Sequence, residues 1–395
     1  MSLIRPLDGI TVLALEHAIA GPLCTRQLAE LGARVIKVER RDTGDFARAY
    51  DTRVKGQSSH FIWTNRSKES LTLNLKHPNA AEILRRLLEN TDVLVQNLAP
   101  GATAKLGLSY EQLQQNHPQL IVCDISGYGP DGPYKNKKAY DLLIQCEAGL
   151  LSVTGTEAEI AKSGISTADI AAGMQAYGGI LAALLQRGKT GSGSHVEISL
   201  LEAMVEWMGF PLYYAFDGAP PPQRSGADHA SIYPYGAFET ADGKVVMLGV
   251  QNEREWASFC IKVLEREDMQ NDSRFCNNAA RSAERNQLRT LITDIFSKVT
   301  MEQICQRLDL ANIAYAQVND MEAVWNHPQL KALNRVTEVD TPAGPVPAFL
   351  PPGNNSTYEH RLDAVPGLGQ HTQSVLSDLG YSDQQINQFF RDEVV

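Results

Sequence analysis

Apolar runs of five or six residues recur along the first half of the chain, separated by amphipathic stretches and turn residues. Runs of this length that are rich in Val, Ile and Leu are typical of buried strands. Gly21-Pro22 begins a helix over Leu23–Leu31, and Gly32 follows its last turn. We predict strands at Ile10–Leu15, Arg34–Arg40, Ser70–Leu75, Asp92–Gln96, Leu120–Ile125 and His195–Ser199. Their alternation with helices predicts a doubly wound parallel α/β sheet, which binds ligands beyond the carboxyl ends of its strands.

The longest apolar stretch, Ile170–Leu185, predicts a helix that is buried on most sides. Its three glycines lower helix propensity, so we expect a neighbouring backbone to approach closely there. Asp169 stands where this helix begins and is the only acid within residues 160–196. Two roles fit Asp169, and they are compatible: a helix N-cap, or a carboxylate nucleophile stabilised by the positive helix end.

The sequence pattern changes beyond Met208, where we predict a linker and then a second domain. The segment Asp217–Pro222 is typical of a linker, and two probable strands flank the turn Ala241–Lys244. With the helical stretch Glu253–Val299, they predict a smaller α/β domain. We predict a large domain of residues 1–208 and 353–395, linkers at 209–224 and 326–352, and a small domain at 225–325.

The composition is that of a soluble globular protein of 395 residues, with 43% hydrophobic and 21% charged residues. A net charge of −10 argues against nucleic acid or an anionic membrane as the main partner. The six cysteines show no CxxC or CxxH spacing, so we expect no metal site and reduced thiols in the cytoplasm. We see no leader and no run long enough to span a membrane.

Two nucleotide-binding motifs are incomplete. The loop Glu16-His-Ala-Ile-Ala-Gly21 lacks the glycines of a dinucleotide fingerprint, so we discount NAD. Gly188-Lys-Thr-Gly191 has Ala183 where a phosphate loop needs glycine, and it ends a helix instead of beginning one. We interpret it as a helix C-cap and turn.

A set of short motifs in a fixed order carries a family resemblance. They are Pro6-Leu-Asp-Gly-Ile-Thr-Val-Leu, Ala20-Gly-Pro, Leu31-Gly-Ala-Arg-Val-Ile-Lys-Val-Glu-Arg40, Leu73-Asn-Leu-Lys76, Val95-Gln-Asn97, Pro100-Gly101, Ser126-Gly-Tyr-Gly, Gly132-Pro133, Asp169, Arg187-Gly-Lys-Thr-Gly191 and Leu368-Gly-Gln-His-Thr372. Together they make the chain resemble class III CoA-transferases, the formyl-CoA transferase family, over nearly its whole length. The resemblance implies a Rossmann-like large domain, a small middle domain and a homodimer interlocked like two rings.

The resemblance also implies the chemistry. The family aspartate that matches Asp169 attacks an acyl-CoA thioester, forms a mixed anhydride and is then converted to an aspartyl-CoA thioester. Acyl-CoA and a free carboxylic acid are the substrates, and no metal or permanently bound cofactor is implied. Tyr140 matches an active-site tyrosine of the transferases. The positions that match family contacts to CoA are Arg40, Leu73, Asn74, Lys76, Asn97 and Lys138, with Ala18 and Ile19 on the loop that borders the thioester.

Two departures from the family pattern bear on the substrate. Formyl-CoA transferases carry glutamine where this chain has Ile19, and their glycine-rich loop corresponds here to Ser225–Gly236, which has no glycine run. In this the chain looks more like members that use C4–C6 dicarboxylates. A second substrate carboxylate favours a cationic partner. The candidates are His229, Arg48 and Arg53, and for His229 a local loop hydrogen bond is the alternative.

Two other functions stay open. Racemases of 2-methylacyl-CoA resemble this chain in fold, but they pair an aspartate with a histidine where this chain has Tyr140. Proton abstraction needs two groups of matched pKa, which tyrosine supplies poorly near neutral pH. A non-catalytic CoA- or nucleotide-binding regulator is the third hypothesis, and it predicts binding without turnover.

Overall fold

The computed structural model describes residues 4–395, and the chain divides into two compact units. The first unit comprises Met1–Ala148, Ser163–Gly209 and Gln329–Val395. The second comprises Gly149–Lys162 and Phe210–Pro328. It therefore includes residues 149–162, which our sequence-based boundaries place in the large domain.

A six-stranded parallel sheet forms the centre of the first unit. Its strands are β1 (Thr11–Leu15), β2 (Arg34–Glu39), β3 (Glu69–Thr72), β4 (Val93–Gln96), β5 (Ile121–Ser126) and β6 (His195–Ser199). Their order across the sheet is β3-β2-β1-β4-β5-β6, and all neighbours are parallel. This is the doubly wound order, in which the direction of winding reverses between β1 and β4. The predicted parallel sheet is confirmed, although β3 ends at Thr72, before the predicted Leu75.

The helices follow the strands in the expected alternation. In chain order they are α1 (Ala20–Glu30), α2 (Ser59–Asn65), α3 (Ala80–Glu89), α4 (Ala102–Lys105), α5 (Tyr110–Leu113), α6 (Asp141–Glu147), α7 (Leu150–Val153), α8 (Thr167–Thr190), α9 (Leu200–Trp207), α10 (Gly209–Tyr214), α11 (Glu253–Ser258), α12 (Asn278–Ala283), α13 (Arg285–Phe296), α14 (Met301–Ala311), α15 (Met321–Trp325), α16 (Pro328–Ala332), α17 (Thr372–Asp378) and α18 (Asp383–Arg391). Apolar residues of α3, α17 and α18 share one core cluster with the sheet. The sequence pattern from His371 to Leu379 predicts a helix, which is α17, whereas α18 was not predicted.

Helix α8 packs along one side only. Gly173 lies so near α1 that an added Cβ would stand 2.7 Å from the Ala20 carbonyl oxygen, which confirms the expected close approach at that glycine. The opposite side leaves Met174 and Leu185 exposed, at 44% and 71%, so the prediction of burial on most sides is wrong for the single chain. By length and apolar composition, α8 is also the one helix within residues 4–395 that could cross a bilayer. Its contacts with α1 and β6 instead make it a helix of the sheet unit.

The second unit is built around a small antiparallel sheet. Its strands are β7 (Tyr235–Glu239), β8 (Val245–Gly249) and β9 (Ala314–Gln317), in the order β7-β8-β9. The predicted turn at 241–244 joins β7 to β8. Helices α11, α13 and α14 pack their apolar faces into one core with the sheet. The Arg224 side chain and the Gly226 amide hydrogen-bond to carbonyls of Thr156 and Gly155, which ties residues 149–162 to this unit.

The connector predicted at 326–352 has five prolines within residues 340–352, yet it contains two strands. Strands β10 (Val336–Val339) and β11 (Val346–Phe349) form an antiparallel hairpin within it. Pro347 is accommodated because a two-stranded ribbon leaves one edge of each strand free of ladder hydrogen bonds.

Candidate active site

Asp169 lies in the first turn of α8 but does not cap the helix. Ser166 occupies the cap position, and the side chain of Asp141 satisfies the free amides instead. Its Oδ1 accepts hydrogen bonds from the backbone N–H groups of Ala168 at 2.8 Å and Asp169 at 3.2 Å. The N-cap interpretation of Asp169 is therefore wrong, because an acid from α6 takes that role. The carboxyl of Asp169 stays available for other chemistry.

The carboxyl of Asp169 has an unusual environment for an acid. Burial, and then the negative charge of Asp141, raise its pKa to about 7. Loss of water disfavours the charged form, and a like charge nearby adds to the effect. Strongly shifted carboxyls of this kind are typical of functional sites. At neutral pH this group exists as a mixture of the acid and the ionised form.

Two tyrosines share the electrostatic neighbourhood of Asp169. Burial, and then the charges of Asp45, Asp169 and Tyr140, raise the pKa of Tyr50 to about 12, so all three groups lie within electrostatic range of Tyr50. Tyr140 directly precedes α6 and is 68% exposed. The structure therefore brings Tyr140 and Asp169 into one neighbourhood, as the sequence predicts, and adds Tyr50 to it. Tyrosine hydroxyls can donate hydrogen bonds to an oxygen that gains negative charge.

An aromatic row extends from Tyr50 along residues 46–60. The Tyr50 ring lies 5.8 Å from Phe46 on one side and 5.3 Å from His60 on the other, measured between ring centroids. His17 continues the row, 4.8 Å from Phe46. These partly exposed rings form an aromatic surface around Tyr50.

A cleft of about 500 Å³ opens at the carboxyl ends of β1, β2 and β3. It is lined by four of the residues matched to CoA contacts, namely Arg40, Leu73, Asn74 and Lys76. Arg40 and Lys76 are cations with access to solvent, whereas Leu73 is buried and contributes an apolar wall. A phosphate-bearing ligand with an apolar part suits such a lining. This is the position at which doubly wound sheets bind ligands.

The loop between β1 and α1, residues 16–19, is held by its neighbours. The side chain of Asn97 accepts from the His17 N–H at 2.9 Å and donates to the His17 carbonyl at 2.8 Å. Ala18 adopts the left-handed conformation, with φ of 65°, and donates its N–H to Asp45 at 3.1 Å. Ile19 is 4% exposed. Asn97 thus contacts this loop, while Ala18 and Ile19 adjoin the cleft through His17, which lines it.

The remaining predicted site residues are placed differently. Lys138 is exposed in the segment that leads to Tyr140, and Arg53 is exposed in a turn before α2. Arg48 donates to both carboxylate oxygens of Glu39, at 2.8 and 2.7 Å, and to the carbonyl of Pro366. Its guanidinium is therefore engaged inside the protein and not directed to a ligand.

His229 belongs to the second unit. Its ring stacks on Tyr235 at 5.3 Å, and its Nδ1 lies 3.2 and 3.1 Å from the N–H groups of Ser231 and Ile232. These contacts match the local loop hydrogen bond that is the alternative to substrate binding at His229. Among the described residues 4–395, no group of three or more potential metal-ligating side chains comes together.

Sequence reasoning missed three members of this neighbourhood. Asp141 was overlooked although it directly follows Tyr140, because its partner amides are distant in the chain. Tyr50 and His60 lie in a segment of mixed composition that showed no clear periodicity. Two aromatic residues and a histidine within residues 46–60 are the signal that could have indicated an aromatic surface.

Comparisons with known proteins show the family to which the chain belongs. A family model described as CoA-transferase family III matches residues 7–372. The succinyl-CoA:glutarate CoA-transferase of Homo sapiens is 33% identical over 402 aligned positions, covering 100% of this chain and 91% of its own length. The succinyl-CoA:mesaconate CoA-transferase of Haloarcula hispanica is 30% identical over 388 positions, covering 95% of this chain and 96% of its own. The crystal structure of a CaiB/BaiF family protein from Brucella suis superposes with a TM-score of 0.84 at 31% identity, covering 95% of this chain and 99% of its own.

The family match spans nearly the whole chain, and the fold and the relatives agree with it. This protein therefore belongs to CoA-transferase family III and is a CoA-transferase.

Proposed function

We propose that this enzyme moves CoA from an acyl-CoA, such as succinyl-CoA, to a free C4–C6 dicarboxylic acid, with Asp169 as the nucleophile. The observation that carries the proposal is the desolvated carboxyl of Asp169 beside Tyr50 and Tyr140. The relatives named for glutarate and mesaconate support a dicarboxylate acceptor.

The first half of the reaction consumes the donor. The ionised carboxylate of Asp169 attacks the thioester carbonyl carbon, the C–S bond breaks, and CoA thiolate leaves a mixed anhydride on the aspartate. The thiolate then attacks the aspartyl carbonyl of that anhydride. The donor acid leaves as a carboxylate, and an aspartyl-CoA thioester remains. Loss of water makes a carboxylate more reactive, so the burial of Asp169 suits the first step.

The second half forms the product by the reverse order of steps. The acceptor carboxylate attacks the aspartyl-CoA thioester and releases CoA thiolate, which gives an anhydride between the acceptor and Asp169. The thiolate attacks the acceptor acyl carbon, forms the new thioester and returns the carboxylate of Asp169. Each tetrahedral oxyanion needs hydrogen-bond donors, a role that Tyr140 and the amide of Ile19 would fill, whereas the Ala18 N–H is already bonded to Asp45.

The cleft provides the groups for CoA. Arg40 and Lys76 would pair with its phosphates, while Leu73 and Asn74 contact less charged parts. Lys138 and Asn97 complete the proposed set. For the distal carboxylate of the acceptor, Arg53 and His229 stay candidates, whereas Arg48 is already paired with Glu39.

The isomerase alternative has less support. The named relatives are CoA-transferases, and Tyr140 stands where a racemase needs a histidine base. Solvent deuterium appearing at the α-carbon of a 2-methylacyl-CoA without an acid acceptor would revive it.

A nucleophile test begins with Asp169→Ala. We expect this variant to fold and bind CoA normally but to lose transfer by several orders of magnitude, because nucleophile removal has effects of that size. Mass spectrometry after hydroxylamine or borohydride treatment of the wild-type enzyme with succinyl-CoA should locate the modification on Asp169. More than about a tenth of the wild-type rate in the variant would contradict the proposal. A panel of mono- and dicarboxylic acceptors then identifies the acid.

We also propose that the enzyme is a cytoplasmic homodimer. The exposed apolar side chains of α8 and of residues 210–216 support self-association, because large apolar patches on soluble proteins usually mark interfaces. The acidic charge and unpaired cysteines support a reducing, aqueous compartment.

A further inference from the structure

Six charged side chains form a buried cluster next to the β1–α1 loop. The buried charge cluster consists of Glu16, Lys37, Glu39, Asp45, Arg48 and Lys68. Five of these side chains are 0% exposed, and Arg48 is 19% exposed. Three acids and three bases make the cluster neutral. Charges buried this deeply destabilise a fold unless each is paired, and every member of the cluster contacts an opposite charge.

Asp45 is the member that reaches out of the cluster. Its Oδ2 pairs with Lys37 Nζ at 2.9 Å. Its Oδ1 accepts two backbone hydrogen bonds, from the Ala18 N–H at 3.1 Å and the Ala47 N–H at 2.9 Å. One carboxylate oxygen therefore links two separate segments of the chain. The backbone N–H of Asp45 itself donates to Glu39, which fixes the residue from the other side.

Both linked segments lead to the candidate active site. Ala18 belongs to the β1–α1 loop and is left-handed, a conformation that is unfavourable for a non-glycine residue and needs support from its surroundings. Ala47 lies in the 3₁₀ turn Phe46–Ala49, which is followed by Tyr50, the neighbour of Asp169. Asp45 thus sets the position of the loop relative to the aromatic row.

The Lys37 ammonium keeps the Asp45 carboxylate ionised, which favours its two backbone hydrogen bonds from Ala18 and Ala47. Burial opposes ionisation of Asp45, but the Lys37 ammonium and the two amides outweigh it and lower the pKa of the carboxyl. Lys37 also lies 3.4 Å from Glu16, which Lys68 contacts at 2.7 Å. These ion pairs stabilise the charged form of Asp45, whose Oδ1 bonds to the amides of Ala18 and Ala47.

We propose that Asp45 is a positioning residue of the transfer reaction. It holds the β1–α1 loop and the Phe46–Ala49 turn in register, so that a thioester bound at the loop meets the carboxylate of Asp169 in a reactive geometry. This inference rests on the proposed nucleophile, because the geometry matters only if Asp169 attacks.

The test compares two double variants in which the cluster stays neutral. Asp45→Asn/Lys37→Met keeps a side-chain oxygen for the two amides, whereas Asp45→Ala/Lys37→Met removes it. The loss of the Lys37 contacts is the same in both and cancels in the comparison. We expect kcat of the alanine variant to be about tenfold to a hundredfold lower than that of the asparagine variant, a common effect of small misplacements. The KM for succinyl-CoA and the calorimetric affinity for CoA should change by less than about threefold between the two. Asp45 lines the cleft with Arg40 and Lys76, but both variants leave these two cations in place and carry an uncharged residue at position 45.

The outcomes separate a positioning role from a structural one. If the two double variants differ in melting temperature but agree in kcat within about twofold, the inference is wrong. If neither variant folds, amide hydrogen exchange of the wild-type protein, measured by NMR, decides the question. The Ala18 amide should exchange about a hundredfold or more slowly than in an unstructured chain. Exchange at the rate of an unstructured chain would overturn the inference. Acyl trapping on Asp169 in the same wild-type preparation keeps the questions apart. If Asp169 is trapped as an acyl adduct but the two double variants have equal kcat, or the Ala18 amide is unprotected, only the role of Asp45 is refuted. Absence of trapping refutes the nucleophile.

Discussion

The reactivity of Asp169 is determined by two physical effects that can be separated. Burial and the neighbouring charge of Asp141 both raise its pKa, to about 7, and only the ionised form can attack a thioester. We therefore expect kcat/KM for succinyl-CoA to increase with pH and to level off above an apparent pKa near 7. The measurement is a pH–rate profile between about pH 5 and 9, where ordinary carboxyls are already ionised. A profile that is flat across this range would contradict the assignment.

The variant Asp141→Asn tests the effect of the neighbouring charge alone. It keeps a side-chain oxygen for the amides of Ala168 and Asp169 but removes the negative charge. We expect the apparent pKa of the pH–rate profile to fall, while part of the elevation persists because the burial of Asp169 is unchanged.

The matched control for this charge effect is Glu147→Gln. Glu147 is the last residue of α6 and pairs with Lys137, so the substitution removes one negative charge from the same helix that carries Asp141. Its charge does not contribute to the raised pKa of Asp169, and the pH–rate profile should stay in place. A profile that moved equally in the two variants would show that Asp141 has no specific effect.

The buried carboxyl of Asp169 should also reduce the stability of the folded protein. Its pKa is near 4 in an unfolded chain and about 7 in the folded one, so the folded state resists ionisation between these values. Stability is unaffected below about pH 4, is lost as the pH rises through this window, and stays reduced above about pH 7. We therefore expect Asp169→Asn to be more stable than the wild type at about pH 8, by about 2–4 kcal/mol, and nearly equal at about pH 4. Thermal melts at both pH values check this, and an equal difference at the two would contradict it.

At the scale of the element, the packing of α8 against α1 depends on Gly173. An added Cβ would meet the Ala20 carbonyl oxygen at 2.7 Å, and a backbone atom cannot rotate away. We expect Gly173→Ala to destabilise the protein by about 1–3 kcal/mol, measured by urea unfolding, despite the better helix propensity of alanine. Gly188→Ala is the matched control in the same helix, because nothing lies within 4 Å of its Cβ position. It should stabilise by about 0.5–1 kcal/mol, and similar effects from both variants would contradict the packing argument.

The elements that the sequence predicted well are those with strong local signals. Residues 195–199 were predicted as a strand and form β6, and Gly191 ends α8 in the left-handed conformation, as the C-cap interpretation predicts. The hairpin of β10 and β11 was missed because its prolines favour a connector, and its pairing depends on contacts that no local pattern encodes.

The residues of the candidate site also divide into those that the sequence could place and those that it could not. Arg40, Leu73, Asn74 and Lys76 follow strand ends, so the sheet topology alone brings them to one cleft. The pairing of Arg48 with Glu39 could not be predicted, because a cation that binds a ligand and one that pairs internally have the same local sequence signal. Only the fold determines which charge is free.

At the scale of the whole molecule, the exposed side of α8 is the feature that indicates a partner. Met174 and Leu185 lie on it, and we propose that a second copy of the chain covers them. We expect Met174→Glu/Leu185→Glu to shift the protein from dimer to monomer in sedimentation velocity, because two buried carboxylates would be left without partners. Gln186→Glu adds a charge next to Leu185 at a position that is already polar, and it should leave the dimer intact. A wild-type protein that sediments as a monomer, or a double variant that stays dimeric, would show that α8 does not mediate self-association.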